Sequence, residues 1–181
     1  MKLFVIGDIH ESNKALLQCI ERSDIDREKD QLIFLGDVCD GWSEVKESIH
    51  ELMTFNNLIF IYGNHDDWTR DWMKFGNANY LWLSQGGNAT FKSFEEVTDY
   101  CPYIKFFDSS VYYYLTTDNK LFVHGGIDWR RSLMENDRHE MMWDRHLWET
   151  AGYWEAFNKA NPEKPQNTFK NFDEIFVGHT S

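Results

Sequence analysis

Four of the seven histidines in this sequence stand directly after short apolar runs, and aspartate or asparagine accompanies them. The five runs of this kind end in Gly-Asp-Ile-His, Gly-Asp-Val-Cys-Asp, Gly-Asn-His-Asp, His-Gly-Gly and Gly-His-Thr. Carboxylate, imidazole and amide oxygen together suit borderline divalent ions such as Mn, Fe or Zn. The pattern therefore predicts a two-metal centre. The pooled candidate residues are Asp8, His10, Asp37, Asp40, Asn64, His65, His124 and His179.

The spacing of these residues indicates how two ions can be shared. Asp8 and His10 are two positions apart, so on an extended tip both side chains project to the same side and can chelate one ion. Asp37 offers two carboxylate oxygens and can bridge two ions about 3.5–4 Å apart, the separation used in two-metal hydrolysis. Each segment by itself is typical of an ordinary loop after a strand, whereas five of them in one chain indicate a common site.

The apolar runs are predicted to be the strands that hold these side chains in place. They cover residues 3–6, 32–35, 58–62, 121–123 and 175–177. Short runs that are rich in β-branched or aromatic residues and are followed by glycine are typical of strands buried on both faces. Ligands collect outside the carboxyl ends of strands in open α/β sheets, so the candidate residues are expected to meet at one edge.

Helical patterns and turns fill the segments between these strands. The alternation of strand and helix at the start of the chain predicts an α/β fold, and residues 111–116 and 120–123 form a predicted hairpin. Residues 76–100 are interpreted as a lid-like excursion over the site, within a single domain of residues 1–181. Ser43 is the predicted cap of the second helix. The predicted helices cover residues 11–22, 43–55, 66–75, 93–100 and 145–160.

The composition argues against several other classes of protein. Hydrophobic residues make up 42% and aromatic residues 17% of the 181 residues, which is too apolar for a disordered chain. The net charge of −12 argues against a non-specific nucleic-acid binder, because such proteins present a basic surface. The apolar runs are too short for a membrane span or a signal-peptide core. Three cysteines without paired spacing favour a reducing compartment, so we expect a cytoplasmic protein without nucleic-acid or membrane partners.

Together, the five segments resemble the calcineurin-like metallophosphoesterases, and most closely the lambda-phosphatase-like, bacteriophage and bacterial branch of the phosphoprotein phosphatases. That family carries GDxHG, GDxxDRG, GNHE, a histidine before a small residue, and GHT in this order. The matching segments begin at Gly7, Gly36, Gly63, Val123 and Gly178. Trp143-Asp144-Arg145, and Trp82-Leu83 with Gly86-Gly87, resemble further signatures of this branch, so the resemblance covers essentially the whole chain.

The resemblance implies a fold, a reaction and a role for each residue. The implied fold is α/β, a two-sheet β-sandwich flanked by helices (αββα). The implied reaction is attack on a phosphoester by a hydroxide that bridges two divalent ions, with Mn foremost and Fe, Zn or Mg as alternatives. One ion would be held by Asp8, His10 and Asp37, and the other by Asp37, Asn64, His124 and His179. The remaining implied roles are a general acid (His65), its support (Asp40) and phosphate binding (Arg145 and Asn64).

The sequence departs from the family pattern where phosphate is bound. Gly41 and Trp42 follow Asp40, so the family's arginine is absent from this place. The planar guanidinium of arginine holds phosphate by two hydrogen bonds at once, so its loss bears on the choice of substrate. Trp42 is interpreted as a stacking wall for a bulkier or flatter group in the substrate.

Three functional hypotheses remain open at this point. The first is a phosphomonoesterase, with phosphoserine or phosphothreonine in proteins as the substrate that the resemblance implies. The second is hydrolysis of a dinucleoside polyphosphate or another nucleotide, which similar enzymes also cleave. The third is a catalytically weak regulator that binds metal or phosphate. The missing arginine favours the third hypothesis, and the intact pair of His65 and Asp40 opposes it.

The end of the sequence raises one further expectation. His179 is the third residue from the end, whereas the resembled enzymes continue with strands that complete their second sheet. A shortened chain and a thin second sheet are the two alternatives. In a shortened chain, His179 would lie on a frayed end.

Overall fold

Two three-stranded sheets organise the computed structural model, which describes residues 1–10, 12–166 and 169–180. The first sheet is entirely parallel, in the order β1-β2-β3. In the second sheet, β5 pairs antiparallel with β4 and parallel with β6. The strands are β1 (Leu3–Ile6), β2 (Gln31–Phe34), β3 (Leu58–Phe60), β4 (Tyr113–Leu115), β5 (Lys120–Val123) and β6 (Glu174–Val177).

Helices follow or precede most of the strands. The helices are α1 (Asn13–Ser23), α2 (Val45–Leu52), α3 (Asn64–Phe75), α4 (Tyr80–Trp82), α5 (Asn88–Ser93), α6 (Cys101–Asp108), α7 (Arg138–Trp143) and α8 (His146–Ala160). A kinked turn, Leu83–Gly87, joins α4 to α5. Within the described ranges, no helix has both the length and the apolar content that a bilayer span requires.

The alternation of side chains along the strands creates three apolar layers between four layers of structure. On β2, Phe34 packs into the cluster beneath α1, α2 and α6, while Ile33 faces the second sheet. On β5, Phe122 faces the first sheet, while Leu121 packs with Met141 of α7. Since successive side chains of a strand point to opposite faces, this pattern requires helix, sheet, sheet and helix in that order. The predicted αββα sandwich is therefore confirmed.

The expectation that every strand is buried on both faces is wrong for β1 and β6. Their side chains are half-buried or exposed, whereas the residues of β2 and β5 are mostly buried. Each of β1 and β6 pairs with one neighbour among the described residues, because β2 and β5 are the middle strands of their sheets. Position in the sheet, which the sequence does not reveal, therefore decides burial.

The start of α2 also differs from the prediction. Ser43 does not cap this helix; the residue at the cap position is Glu44, whose side chain makes no capping hydrogen bond. Instead, the backbone N–H of Lys46 donates to the hydroxyl of Ser93 at 3.0 Å. Because the capping group comes from a distant segment, the local sequence signal at Ser43 was misleading.

Helix boundaries near the site were predicted less well than the strands. The predicted helix 93–100 is wrong, because α5 covers Asn88–Ser93 and turns follow it. Helices α6 and α7 were missed, although Pro102 in the first turn of α6 is a usual start signal. Helix α3 begins two residues before the predicted start, so Asn64 and His65 lie in its first turn.

Candidate active site

The strand ends of both sheets contribute to one cluster of polar side chains. The carboxyl ends of β1, β2 and β3 lie side by side because these strands are parallel, and β5 and β6 are parallel to each other. The loops that follow carry Asp8 and His10 after β1, Asp37 and Asp40 after β2, Asn64 and His65 after β3, His124 after β5, and His179 after β6. The structure thus brings together residues that are up to 171 positions apart, as in the 2.7 Å hydrogen bond from the His179 N–H to Asp8.

Two compact groups of potential metal ligands share one carboxylate. Ligand atoms of His10, Asp37 and His65 all lie within 4.8 Å of one another, and so do those of Asp37, His124 and His179. Asp37 is 1% exposed and belongs to both groups. A carboxylate between two imidazole clusters can bridge two ions, which is the geometry that two-metal hydrolysis uses.

The hydrogen bonds of His124 leave one ring nitrogen for a cation. Its Nδ1 lies 2.5 Å from the carbonyl oxygen of Leu35, so Nδ1 carries the proton and donates it. Its Nε2 lies 3.1 Å from Oδ1 of Asn64 and 3.3 Å from Oδ2 of Asp37. A lone pair that faces two acceptor oxygens is unfavourable unless a positive charge lies between them. This donor set therefore fits a divalent ion.

His10 is oriented in the same way. Its Nδ1 lies 3.1 Å and 3.0 Å from the carbonyl oxygens of Cys39 and Asp40 and donates to them, while its Nε2 is 4.0 Å from Asp37. Backbone carbonyls thus select the tautomer whose Nε2 can bind a metal. The tip that carries His10 is not extended as we expected, because His10 has a φ of 43°. The direction of the His10 side chain is therefore set by the loop that carries Asp37 and Asp40, and not by the alternation of side chains along a strand.

Asp8 lies beside the second group of ligands and outside the two compact ones. Its Oδ2 accepts the backbone N–H of His179, and its Oδ1 is 4.0 Å from Nδ1 of His124. Oδ1 is buried and has no hydrogen-bond partner among the described residues. Burial is the main reason why the pKa of Asp8 is raised. An unsatisfied buried carboxylate oxygen is a second feature that a bound cation would resolve.

The charges of the cluster polarise its members. Burial by itself would raise the pKa of Asp37, but the neighbouring imidazoles, His124 above all, hold it below its ordinary value. Burial would lower the pKa of His124, and the carboxylates of Asp37 and Asp8 raise it instead. Burial and the charges of His124 and Arg145 lower the pKa of His179 to about 4, which favours the neutral imidazole. The carboxylates and imidazoles of the site thus stabilise one another's charged forms, and a metal ion bound by His124 would displace the proton that its raised pKa favours.

His65, a member of the first group, forms a hydrogen-bonded pair with Asp40. His65 Nδ1 donates to Oδ2 of Asp40 at 2.7 Å, and Asp40 is 1% exposed. Burial would lower the pKa of His65, but the hydrogen bond to Asp40 and the charge of Asp37 raise it. A buried carboxylate behind an imidazole fixes the ring and favours its protonated form.

The two predicted substrate-binding residues outside the cluster lie at the surface. Nε of Arg145 donates to Nε2 of His179 at 3.3 Å, so this guanidinium stands at the second group of ligands. Trp42 follows Gly41 in the loop after Asp40 and is 69% exposed. Neither side chain is buried, so both remain accessible to a molecule that enters the site.

Sequence reasoning missed two contributions to this site. Asp66, the first residue of the predicted helix 66–75, was given no role in the site, yet its carboxylate accepts the backbone N–H groups of Asp37, Val38 and Gly63 at 2.8–3.1 Å. Trp68 and Trp143 contact one another, with ring centroids 5.0 Å apart. Trp68 contacts the ring of His65, and Trp143 that of His179. The position of Asp66 three residues after Gly63 is a capping signal that was available in the sequence.

Four site residues adopt left-handed backbone conformations, with φ between 43° and 66°: His10, Asp37, Asp40 and His179. Such a conformation costs a non-glycine residue roughly 1–2 kcal/mol. Strain of this kind persists where the surrounding structure enforces it, and it is concentrated at functional sites. The loops are therefore shaped to aim these side chains.

A comparison with protein families decides the assignment. The model of the family described as calcineurin-like phosphoesterase matches residues 1–180. The chain belongs to this family. The His and Asp groups of this calcineurin-like phosphoesterase are candidate ligands for divalent metal ions. No curated protein matches the chain.

Solved structures of other proteins share the fold of this calcineurin-like phosphoesterase at low sequence identity. One is provisionally assigned as a diadenosine tetraphosphatase, with 15% identity and a TM-score of 0.61 over 78% of this chain and 61% of that one. Another is a protein serine/threonine phosphatase from Saccharomyces cerevisiae that is similar to human phosphatase PP5. It has 18% identity and a TM-score of 0.56, and the match covers 79% of this chain and 51% of that one.

A third structure is a metallophosphoesterase from Sphaerobacter thermophilus, with 18% identity and a TM-score of 0.57 over 98% of this chain and 59% of that one. The chain thus spans 51–61% of the length of these three proteins. At such identities the likeness shows the fold alone, because one fold serves many substrates.

Proposed function

We propose that this chain is a metal-dependent phosphatase that hydrolyses phosphomonoesters, of the lambda-phosphatase-like branch. One observation carries the proposal: Asp37 is shared by two groups of potential metal ligands, and His65 of the first group is hydrogen-bonded to the buried carboxylate of Asp40. Metal binding alone would not need a buried acid–base pair beside the ligands. The arrangement instead suits a reaction in which an oxygen leaves and must be protonated.

The ligand sets that we propose are those that the family resemblance implies. Asp8, His10 and Asp37 would hold one ion, and Asp37, Asn64, His124 and His179 the other. We propose Mn as the foremost ion, because carboxylate, imidazole and amide donors suit borderline metals; Fe, Zn and Mg are the alternatives. When bound, two divalent ions supply an activated water and stabilise the negative charge of the phosphate.

His65 is proposed as the general acid. Its Nδ1 is engaged by Asp40, so Nε2 is the nitrogen that can pass a proton to the leaving oxygen. The hydrogen bond to Asp40 and the charge of Asp37 raise the pKa of His65, which favours the protonated imidazole that an acid needs. Asp40 keeps the ring in place and stabilises its positive charge.

Phosphate recognition in this protein is proposed to rest on Arg145 and Asn64. Arg145 stands beside His179 at the surface, and Asn64 lies beside His124 in the buried part of the site. Gly41 stands where the family has its second arginine, and Trp42, which follows it and is exposed, is proposed to contact the organic part of the substrate. A planar side chain there favours substrates with a flat group over those with a short aliphatic one.

The substrate that we propose first is phosphoserine or phosphothreonine in proteins, which is supported by the yeast neighbour described as a serine/threonine phosphatase. A dinucleoside polyphosphate is the second candidate. The neighbour assigned as a diadenosine tetraphosphatase and the exposed ring of Trp42 favour it. A binding protein without turnover is the third candidate, and the absence of the clamp arginine after Asp40 favours it.

The experiment compares hydrolysis of p-nitrophenyl phosphate, phosphoserine and phosphothreonine peptides, and diadenosine tetraphosphate, with Mn²⁺, Zn²⁺ or Mg²⁺ supplied in turn. We expect Mn²⁺-dependent turnover, and on the phosphopeptides, whose leaving oxygen is strongly basic, His65→Asn should lower it by about 100-fold or more, because general acid catalysis contributes that much. Arg138→Gln, an exposed change outside the proposed site, serves as the control and should keep full activity. Absence of turnover with every ion and substrate would favour the binding protein.

A further inference from the structure

We propose that Trp82 and Thr90 are positioning residues, which hold the carboxylate of Asp40 and through it the imidazole of His65. The proposal rests on the proposed function, since it concerns the support of the general acid. Both residues come from the segment 76–100, which we predicted as a lid. They lie 42 and 50 positions from Asp40 in sequence.

The hydrogen bonds occupy both oxygens of Asp40. Trp82 donates its indole N–H to Oδ2 at 2.7 Å, the same oxygen that accepts from His65 Nδ1 at 2.7 Å. Thr90 donates its hydroxyl to Oδ1 at 2.5 Å, and the Thr90 oxygen also lies 3.3 Å from the backbone N–H of Asp40, from which it accepts. With donors on both sides, the carboxylate has one orientation available.

Burial makes these hydrogen bonds decisive for orientation. Trp82 and Thr90 are 0% exposed and Asp40 is 1% exposed, so water does not replace a donor that is removed. A buried carboxylate that loses one donor turns toward those that remain, because leaving it unsatisfied is costly. His65 depends on one of these oxygens and would move with it.

The glycine pair between Trp82 and Thr90 allows this approach. A Cβ at Gly86, which has a φ of 109°, would lie 2.7 Å from the backbone nitrogen of Gly41. A Cβ at Gly87 would lie 2.7 Å from the indole ring of Trp82. The motif Trp-x-x-x-Gly-Gly-x-x-Thr therefore forms one unit whose shape brings two donors to Asp40. Whether 76–100 also acts as a lid stays a prediction.

The chemical consequence depends on the leaving group. An acid that is out of place slows the departure of a strongly basic oxygen and hardly affects the departure of a weakly basic one, which needs no proton. Loss of a merely structural contact would slow both substrates alike. Phenyl phosphate, which releases the more basic oxygen, and p-nitrophenyl phosphate, which releases the less basic one, have similar shapes and therefore allow this comparison.

The test uses Trp82→Phe and Thr90→Val, each of which removes one donor and keeps most of the volume. For both variants we expect kcat on phenyl phosphate to fall by about 10-fold or more and KM to change little, as for other groups that orient a reacting residue. The fall on p-nitrophenyl phosphate should be several-fold smaller. Thr90→Ser retains the hydroxyl and should restore the ratio of the two rates.

Trp72→Phe is the matched control. Trp72 packs against Trp82 with ring centroids 5.8 Å apart and also contacts Phe91. The Trp72→Phe substitution changes the same aromatic cluster without removing a donor from Asp40, so any loss of kcat should be equal for the two substrates. His65→Asn provides the full leaving-group effect for comparison. Equal losses on the two substrates in Trp82→Phe and Thr90→Val, with the full effect present in His65→Asn, would overturn the proposal.

A second measurement separates this proposal from the proposed function. The Nδ1–H proton of His65 is read by proton NMR of the isotopically labelled protein and assigned by its loss in His65→Asn. We expect Trp82→Phe and Thr90→Val to shift or broaden this resonance, and Trp72→Phe and Thr90→Ser to leave it in place. An unshifted resonance in both donor variants contradicts the positioning role even if the chain hydrolyses none of the substrates. Absence of turnover with the expected shifts would instead contradict only the proposed function.

Discussion

A single buried carboxylate, Asp66, holds the two loops that carry Asp37 and His65. Three backbone N–H groups from the loop after β2 and the start of α3 donate to it, and the side chain is 0% exposed. Burial and the charge of Asp37 raise the pKa of Asp66, while the hydrogen bonds act in the opposite direction. Asp66 therefore holds the loops of the site in place through backbone hydrogen bonds and is not one of the proposed metal-binding residues.

Asp66→Asn is expected to lower the free energy of unfolding by about 1–3 kcal/mol, because the amide group leaves one backbone N–H facing another donor. Urea denaturation followed by fluorescence measures the loss. Asp71→Asn in the same helix is the control, since its side chain contacts only the exposed Asn77 in the described structure. Equal stability of the two variants would contradict the role of Asp66.

At the scale of elements, close contacts between loops and pairs of helices position the site. Gly36, at the end of β2, has a φ of 88°, and a Cβ there would lie 2.8 Å from both the Gly63 nitrogen and His124 Nδ1. Gly152 in α8 has open space around it instead.

Helices α3 and α6 are joined at the surface by Arg70 and Lys74, which both donate to Asp108.

Gly36→Ala is expected to cost about 2 kcal/mol or more in unfolding free energy, through the strained φ and the two close contacts. Gly152→Ala should instead be neutral or stabilise by about 0.5–1 kcal/mol, because alanine favours a helix interior. Parallel urea titrations of the two variants measure both effects. Similar midpoints would show that the loops after β2 and β3 tolerate a wider separation.

Asp108→Asn tests the link between α3 and α6. The hydrogen bond from Lys74, with Arg70, holds the pKa of Asp108 below its ordinary value of 3.8. Because the pKa of Asp108 is lower in the folded protein than in the unfolded chain, the ionised carboxylate stabilises the fold at pH values above the unfolded pKa. This stability is lost as the pH falls through the pKa of the folded state. The site is partly exposed and screened, so we expect a loss of less than about 1 kcal/mol at pH 7. Wild type and variant should converge in urea titrations at pH well below 3.8; a constant difference would contradict the charge effect.

At the scale of the whole molecule, the candidate metal centre joins the two sheets. Asp37 follows the middle strand of the first sheet, and His124 follows the middle strand of the second. Bound ions would therefore link both halves of the sandwich. The lambda-phosphatase-like branch and a cytoplasmic location without nucleic-acid or membrane partners remain predictions.

Removal of divalent ions is expected to lower the melting temperature by on the order of 5–10 °C, since a ligand at about 100 times its Kd stabilises by about 2.7 kcal/mol. Thermal melting with EDTA and with excess Mn²⁺ measures the shift. Asp37→Asn should lose most of the shift, whereas Asp26→Asn, an exposed carboxylate, should keep it. A full shift in Asp37→Asn would exclude this carboxylate as a shared ligand.

Local physics made part of this molecule predictable. Short apolar runs ending in glycine identify strands, because a buried strand must be apolar and must stop where the chain turns. The parallel order of β1, β2 and β3 then gathers Asp8, Asp37 and Asn64 at one edge of the sheet. Helix ends were less predictable, because at α2 the capping hydroxyl of Ser93 comes from far along the chain.

By itself, the sequence determined the α/β class and the residue types that reach its strand ends, because these follow from side-chain periodicity and from the chemistry of Asp, His and Asn. The two-sheet αββα form was implied by the family resemblance. Only the tertiary structure decided which groups support them. The N–H donors of Asp66, and the Trp82 and Thr90 bonds to Asp40, join segments whose spacing carries no local signal. The physical reason is that a buried polar group must find partners wherever the fold brings them.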